Sequence, residues 1–396
     1  MIPLAQATQL KLPIPVLRLA FRPFFLLAAL FALLAIGGWA AVFQGWAFNP
    51  YGGSYWWHAH EMLFGFVAAV IVGFLLTAVQ NWTGVPGIKG NALLGLVILW
   101  LLARLLIATN ITGLAEITAL VDMAFLPAAA ACLARSVLTV RQYRNLIFVP
   151  LLLGMTLSNL YMHLAVMLNE PAWVQTGSHA MVMLVTAIMC VIGGRVFPMF
   201  TANGTGTRKV PPLPWLEKLA LISIGLLALV FLLPIGVPDT ILTTLLLVAG
   251  IAHSIRWIRW RFWVTFGTPL VWSLHVAYAC IPIGLLLMAL NVSTGIISFS
   301  MAMHVITVGA MGGMILSMIS RVSLGHTGRM ITVGRWMTVS FLFMVLALLS
   351  RTLLVALWPG TVPILVSAIF WCLAFAMFLI QYFPILTQPR VDGAHG

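Results

Sequence analysis

Twelve apolar stretches, each about long enough to cross a bilayer, confine this chain to one kind of fold. Lipid offers no partner for backbone N–H and C=O groups, so each stretch must bond within itself as a helix. The expected spans are about 20–43, 58–80, 91–109, 114–138, 146–168, 173–199, 215–234, 239–259, 268–290, 296–320, 335–357 and 361–383. The breaks carry turn chemistry, including Asn49-Pro50, Gly84–Gly90, Asn110–Gly113, Asn169–Pro171, Pro234–Pro238 and Pro359-Gly360. Only 7% of the residues are charged, which rules out an ordinary soluble domain. The fold class is all-α and polytopic, a single membrane domain over 1–396 in contact with the lipid bilayer. No cleavable leader is expected, since the first apolar run is long enough to span.

Basic residues then set the orientation. Lys11, Arg18 and Arg22 come before or at the start of the first helix, and Lys89 follows the second. Arg141 and Arg144 follow the fourth, Arg208, Lys209 and Lys218 follow the sixth, and Arg256, Arg259 and Arg261 mark the end of the eighth. Arg329 and Arg335 follow the tenth, and Arg390 lies in the tail. The alternate loops hold no Lys or Arg but include Glu170 and Asp239. The positive-inside rule therefore expects both termini in the cytoplasm. The net charge of +13 reads as topology and not as a nucleic-acid surface, because it is spread through short loops. Cys132, Cys190, Cys280 and Cys372 fall in apolar runs without a CxxC pair, and read as small core residues.

Three histidines occupy matching positions near the outer ends of helices two, six and ten: His60, His179 and His304. Their spacing is nearly equal, and the same interval separates His60 from Gly84 and His304 from Gly328. Arg104 and Arg351 sit at similar offsets beyond His60 and His304. These matches point to a pseudo-threefold repeat of four-helix units over 17–140, 141–262 and 263–385, with a site at the repeat interface. His58 and His163 fall in the same outer layer. An ionisable side chain inside a membrane marks a functional site by default, and imidazole commonly ligates haem or metal. His58, His60, His163, His179 and His304 are therefore candidate cofactor and metal ligands. His58 and His60 are about 200° apart on a helix, so they are expected to serve different faces.

Arg104 and Arg351 suit haem propionates, or an ion pair with Glu116 or Asp122. Glu61 and Asp122 are candidate proton-transfer groups. Trp39, Trp46, Trp56, Trp57 and Trp358 read as an interfacial aromatic belt. His253, His275 and His326 fall toward the inside, and His395 is in the tail. No phosphate loop, nucleophile elbow or dinucleotide fingerprint is present.

At these residues the chain resembles the NnrS family of bacterial membrane proteins. The resemblance rests on Phe21-Arg22-Pro23-Phe24-Phe25, on His58-Ala59-His60-Glu61-Met62-Leu63-Phe64-Gly65-Phe66 and on Gly73–Val79 with Asn81-Trp82-Thr83-Gly84. It continues through Arg144-Asn145, Gly194–Thr201, and the stretch from Met303-His304 to Gly328. It implies a haem- and copper-containing protein of the bacterial inner membrane, linked to nitric oxide metabolism and nitrosative stress. Copper enters through this resemblance alone.

A second resemblance, of architecture, is to haem-copper oxidase catalytic subunits, which also have twelve helices and ligand histidines on helices two, six and ten. The chain departs from them in pairing its histidines on helix two and in lacking a histidine on helix seven. The expected function is reduction of nitric oxide to nitrous oxide at haem b, with His60 and His304 as axial ligands. His58 would face a second site completed by His179 or His163. Electrons would come from quinol or a separate carrier. The rival readings are a haem protein that binds or senses nitric oxide without turnover, and a transporter with a histidine proton relay.

Overall fold

The computed structural model describes residues 14–394, so Lys11 and His395 lie outside the described residues. Among the described residues there is no strand, and twelve helices are long and apolar enough to cross a membrane. They are α1 (Phe21–Phe43), α2 (Gly53–Thr83), α3 (Gly90–Thr109), α4 (Ala115–Thr139), α5 (Tyr143–Met167) and α6 (Ala172–Thr205). Then come α7 (Pro214–Leu232), α8 (Asp239–Arg259), α9 (Pro269–Thr294), α10 (Phe299–His326), α11 (Arg335–Leu357) and α12 (Thr361–Thr387). The chain is thus an all-helical, multi-pass membrane protein.

Helix boundaries reflect local chemistry. Gly84 takes the left-handed conformation (φ 71°) that closes α2, and its N–H bonds to Gln80 O at 2.8 Å. At the start of α1 an unpaired backbone donor is met from another helix. Thr77 Oγ1 accepts from Phe21 N (2.9 Å) while donating to Gly73 O (2.7 Å). Arg22, buried in the first turn of α1, donates to Leu386 O (3.0 Å) and Gln388 O (2.7 Å). That clamp ties α1 to the end of α12, and the two helices pack along their length.

Neighbours in sequence pack as neighbours in space, and α2, α6 and α10 are the most enclosed. α6 touches both α2 and α10. These three helices carry His58 and His60, His179, and His304. The lipid-facing sides of the outer helices expose Leu and Ile, as at Leu105, Leu120, Ile222 and Ile380. In water such a surface is a liability; in a bilayer it is the solvated face.

Three segments wind wider than an α-helix. Glu61–Val67 in α2, Val305–Gly312 in α10 and Ser350–Leu354 in α11 are π-helical. The first two begin immediately after His60 and His304, and the third contains Arg351. A π turn inserts an extra residue and rotates the two halves of a helix relative to each other, and such turns cluster at functional sites. It also alters carbonyl pairing: Trp100 Nε1 donates to Gly65 O at 3.0 Å.

Candidate functional site

The two faces of α2 build two different environments. His58 lies on one face, at a cavity of about 580 Å³. His179 from α6, His304 from α10 and Arg351 from α11 reach the same cavity. The rest of its wall is mainly apolar and aromatic, with Trp39, Phe66, Trp371 and Met303 among them, and it also includes Gln175, Asn291 and Ser367. Volume and lining both fall in the range of a small-molecule or cofactor site.

Several of the nitrogens here lack protein partners among the described residues. His58 Nδ1 is buried and makes no hydrogen bond. Its ring is held by stacking on Trp39, with centroids 4.5 Å apart and planes at 9°. His304 Nδ1 lies 2.6 Å from Ser300 O, so it donates there and Nε2 is left as the lone-pair nitrogen. That is the orientation a backbone carbonyl imposes on a metal-ligating histidine. His179 sits against Phe299, at 4.8 Å between centroids, without a hydrogen bond among the described residues. Arg351 has no carboxylate partner among the described residues. Unpartnered imidazoles and a lone guanidinium in one apolar cavity are what a haem would satisfy, iron through histidine and propionate through arginine.

The opposite face of α2 is closed. His60 is fully buried, stacked between Trp56 (4.3 Å, 11°) and Phe64 (4.9 Å, 28°). Its Nδ1 meets Glu61 Oε1 at 2.9 Å, and its Nε2 lies 2.9 Å from Asn159 Oδ1 and 3.1 Å from Asp122 Oδ2. His163 Nε2 also reaches Asp122 Oδ2 at 3.1 Å, and its Nδ1 meets the Tyr51 hydroxyl at 3.3 Å. Arg104 bridges the two carboxylates, Nη1 donating to Glu61 Oε1 at 2.8 Å and Nη2 to Asp122 Oδ1. Asn159 Nδ2 donates to Asp122 Oδ2 at 2.6 Å.

One guanidinium faces two carboxylates, so one further positive charge is needed for balance. A proton on an imidazole or a cation supplies it. Ligand atoms of His60, Asp122 and His163 all lie within 4.8 Å of one another, a two-imidazole, one-carboxylate set suited to a transition metal. Tyr51, in the loop before α2, has its phenol pushed up to about 12 by burial and then by the Asp122 and Glu116 carboxylates. It therefore keeps its proton at neutral pH.

Set against the sequence reading, the structure regroups the candidates. His58, His179 and His304 share the cavity; His60 lies outside it, with His163. The expected use of His60 and His304 together as axial ligands does not match this arrangement, because His304 reaches the cavity on one side of α2 and His60 lies on the other. Arg104, expected at a propionate or in a pair with Glu116 or Asp122, is engaged by Asp122 and also by Glu61, whereas Arg351 remains at the cavity. Glu61 and Asp122 meet through Arg104, and Glu116 is not in that contact. Trp46 and Trp358 are exposed as an interfacial belt requires, but Trp56 and Trp57 are buried and Trp39 lines the cavity. Sequence reasoning missed Asn159 and Tyr51 as network members. A polar Asn inside an apolar run was the available signal for the first; nothing local marked the second.

The family model described as NnrS protein matches residues 15–390. No curated protein matches the chain.

Proposed function

Because the chain belongs to the NnrS family, we propose that it is a haem-containing protein of the bacterial inner membrane that reduces nitric oxide. The observation that carries this reading is the convergence of His58, His179, His304 and Arg351 on one cavity of about 580 Å³. His58, His179 and His304 would hold haem b through ring nitrogens, and Arg351 would offer its guanidinium to a haem carboxylate. Both termini are cytoplasmic and the cavity lies toward the outer face.

The reaction is 2 NO + 2 H⁺ + 2 e⁻ → N₂O + H₂O. Electrons would come from quinol or a separate carrier. Haem, if bound, would supply redox chemistry toward nitric oxide in this cavity. The protein's part is to exclude water there, through Trp39, Phe66 and Trp371, and to hold protons nearby. The closed network on the other face of α2 is the proton store. Its charge count leaves room for one proton on His60 or His163, and Glu61 directly precedes the cavity-lining residues Met62 and Leu63 in α2. A second reading of the same network is a copper site, favoured by the proximity of the His60, Asp122 and His163 ligand atoms.

The test is an absorption spectrum of purified, haem-supplied protein, oxidised and reduced, followed by nitric oxide addition and gas analysis. A Soret band that shifts with nitric oxide, with nitrous oxide formed under a reductant, is the expected result. Nitric oxide binding without nitrous oxide would make the protein a binder or sensor. A colourless protein would end the haem reading and leave the proton-coupled transporter. Metal analysis of wild type against His163→Ala decides the copper reading.

A further inference from the structure

The end of the bundle remote from the histidine cavity holds a second cavity, of about 720 Å³. Along α6, Arg195 lies sixteen residues beyond His179, a rise of about 24 Å. The nitric oxide account does not use this space. Arg144, Arg195, Lys209, Arg256 and Arg259 line it, with Glu217 as its one acid. Glu217 is taken by Arg256, through Nε at 3.1 Å and Nη2 at 2.5 Å. Arg144, Arg195, Lys209 and Arg259 have no carboxylate partner among the described residues.

The cavity is built, beyond the general basicity of the loops. Arg195 Nη1 donates to Asn145 Oδ1 (2.7 Å), Asn145 Nδ2 donates to Gln142 Oε1 (2.7 Å), and Gln142 Nε2 donates to Trp82 O (2.8 Å). This chain fixes one edge of the guanidinium and leaves its other N–H groups without an acceptor among the described residues. Gly194 is equally specific: a Cβ there would run into the Arg256 guanidinium and lie 3.0 Å from Glu217 Oε2. The remaining wall is apolar, with Val191, Leu216 and Leu221 from α6 and α7.

We propose that this cavity, framed by Arg144, Arg195, Lys209 and Arg259, binds a phosphate-bearing ligand. Uncompensated guanidinium and ammonium groups at a helix-bundle end are suited to phosphate oxygens. Basic pockets between membrane helices on the positive side take anionic headgroups by this chemistry. An anionic phospholipid and a soluble phosphate compound share it, and the apolar wall also suits the first.

The experiment uses the full chain in neutral detergent. Binding of phosphatidylglycerol, phosphatidylcholine and inorganic pyrophosphate is measured by native mass spectrometry and by shift in melting temperature. Wild type is compared with Arg195→Gln/Lys209→Gln. Phosphatidylglycerol should bind in preference to phosphatidylcholine, and the double variant should bind it on the order of tenfold more weakly. The variant's melting temperature without ligand reports its folding. Arg144→Gln/Lys209→Gln, altering two exposed side chains, carries the same comparison if the first variant does not fold. Pyrophosphate binding that the variants weaken, without phospholipid preference, would identify a soluble phosphate compound as the ligand. Equal binding of the two lipids with no response to pyrophosphate, or variants that keep wild-type preference, would overturn the proposal.

Discussion

Replacing Arg104 by Met should be among the most destabilising single changes in this protein. Among the described residues its guanidinium is the only Lys or Arg charge in contact with Glu61 and Asp122, and the side chains of all three are nearly inaccessible, at 6%, 1% and 3%. Solvent screening, which reduces surface pairs to about 0–1 kcal/mol, does not apply here. Removing one partner of a buried pair strands the other charge and costs about 3–5 kcal/mol. Here two carboxylates lose their shared guanidinium donor, so the upper half of that range is expected.

Arg104→Lys should recover part of the loss, since an ammonium meets one carboxylate well but lacks the planar fork that meets both. Adding Asp122→Asn to Arg104→Met should also recover stability, because one of the two unpaired charges is then gone. The assay is reversible unfolding by SDS in mixed micelles, with each variant compared at the wild-type midpoint. A loss below about 1 kcal/mol for Arg104→Met, the value of a surface pair, would refute the reasoning.

Other substitutions separate the two faces of α2. Gly65→Ala places a Cβ 2.9 Å from Arg104 Nη1 and against the Phe31 ring, so it should cost about 1–3 kcal/mol in the same assay. Arg351→Gln should leave the stability of haem-free protein within about 0.5 kcal/mol, because no ion pair is broken; haem retention through gel filtration should fall. Trp39→Ala removes the ring stacked on His58 and opens the cavity wall, so the Soret maximum and the haem content should both change while Arg104-dependent stability does not.

Much of the fold is written in the sequence because lipid makes the rules few. Span length and loop charge are enough to place all twelve helices in order. Their ends are less legible: α6 runs to Thr205 and α10 to His326, past the apolar windows that end near 199 and 320. Polar inner turns such as Thr201–Asn203 stay helical once the bundle has begun them, and hydropathy does not register that.

The site is legible in part. The helical period separates His58 from His60, and they do occupy opposite faces of α2. The period alone does not say which distant histidine joins which. That grouping depends on the π turns after His60 and His304, which have no clear sequence mark. Arg104 and Arg351 look equivalent by offset, yet their surroundings differ. α4 supplies Asp122 beside Arg104, and among the described residues no acidic side chain pairs with Arg351. Trp39 and Trp56 obey the same logic, since a tryptophan near a helix end reads as interfacial until the packing turns it inward.

The central claim is that haem belongs to the cavity of His58, His179 and His304 and not to the closed network around His60. Reduced-minus-oxidised spectra of His304→Ala and His60→Ala, each expressed with haem supply and normalised to protein, test it most directly. His304→Ala should lose haem or shift its axial signature, while folded His60→Ala should keep a wild-type haem spectrum. Haem lost from His60→Ala and retained unchanged in His304→Ala would contradict the account.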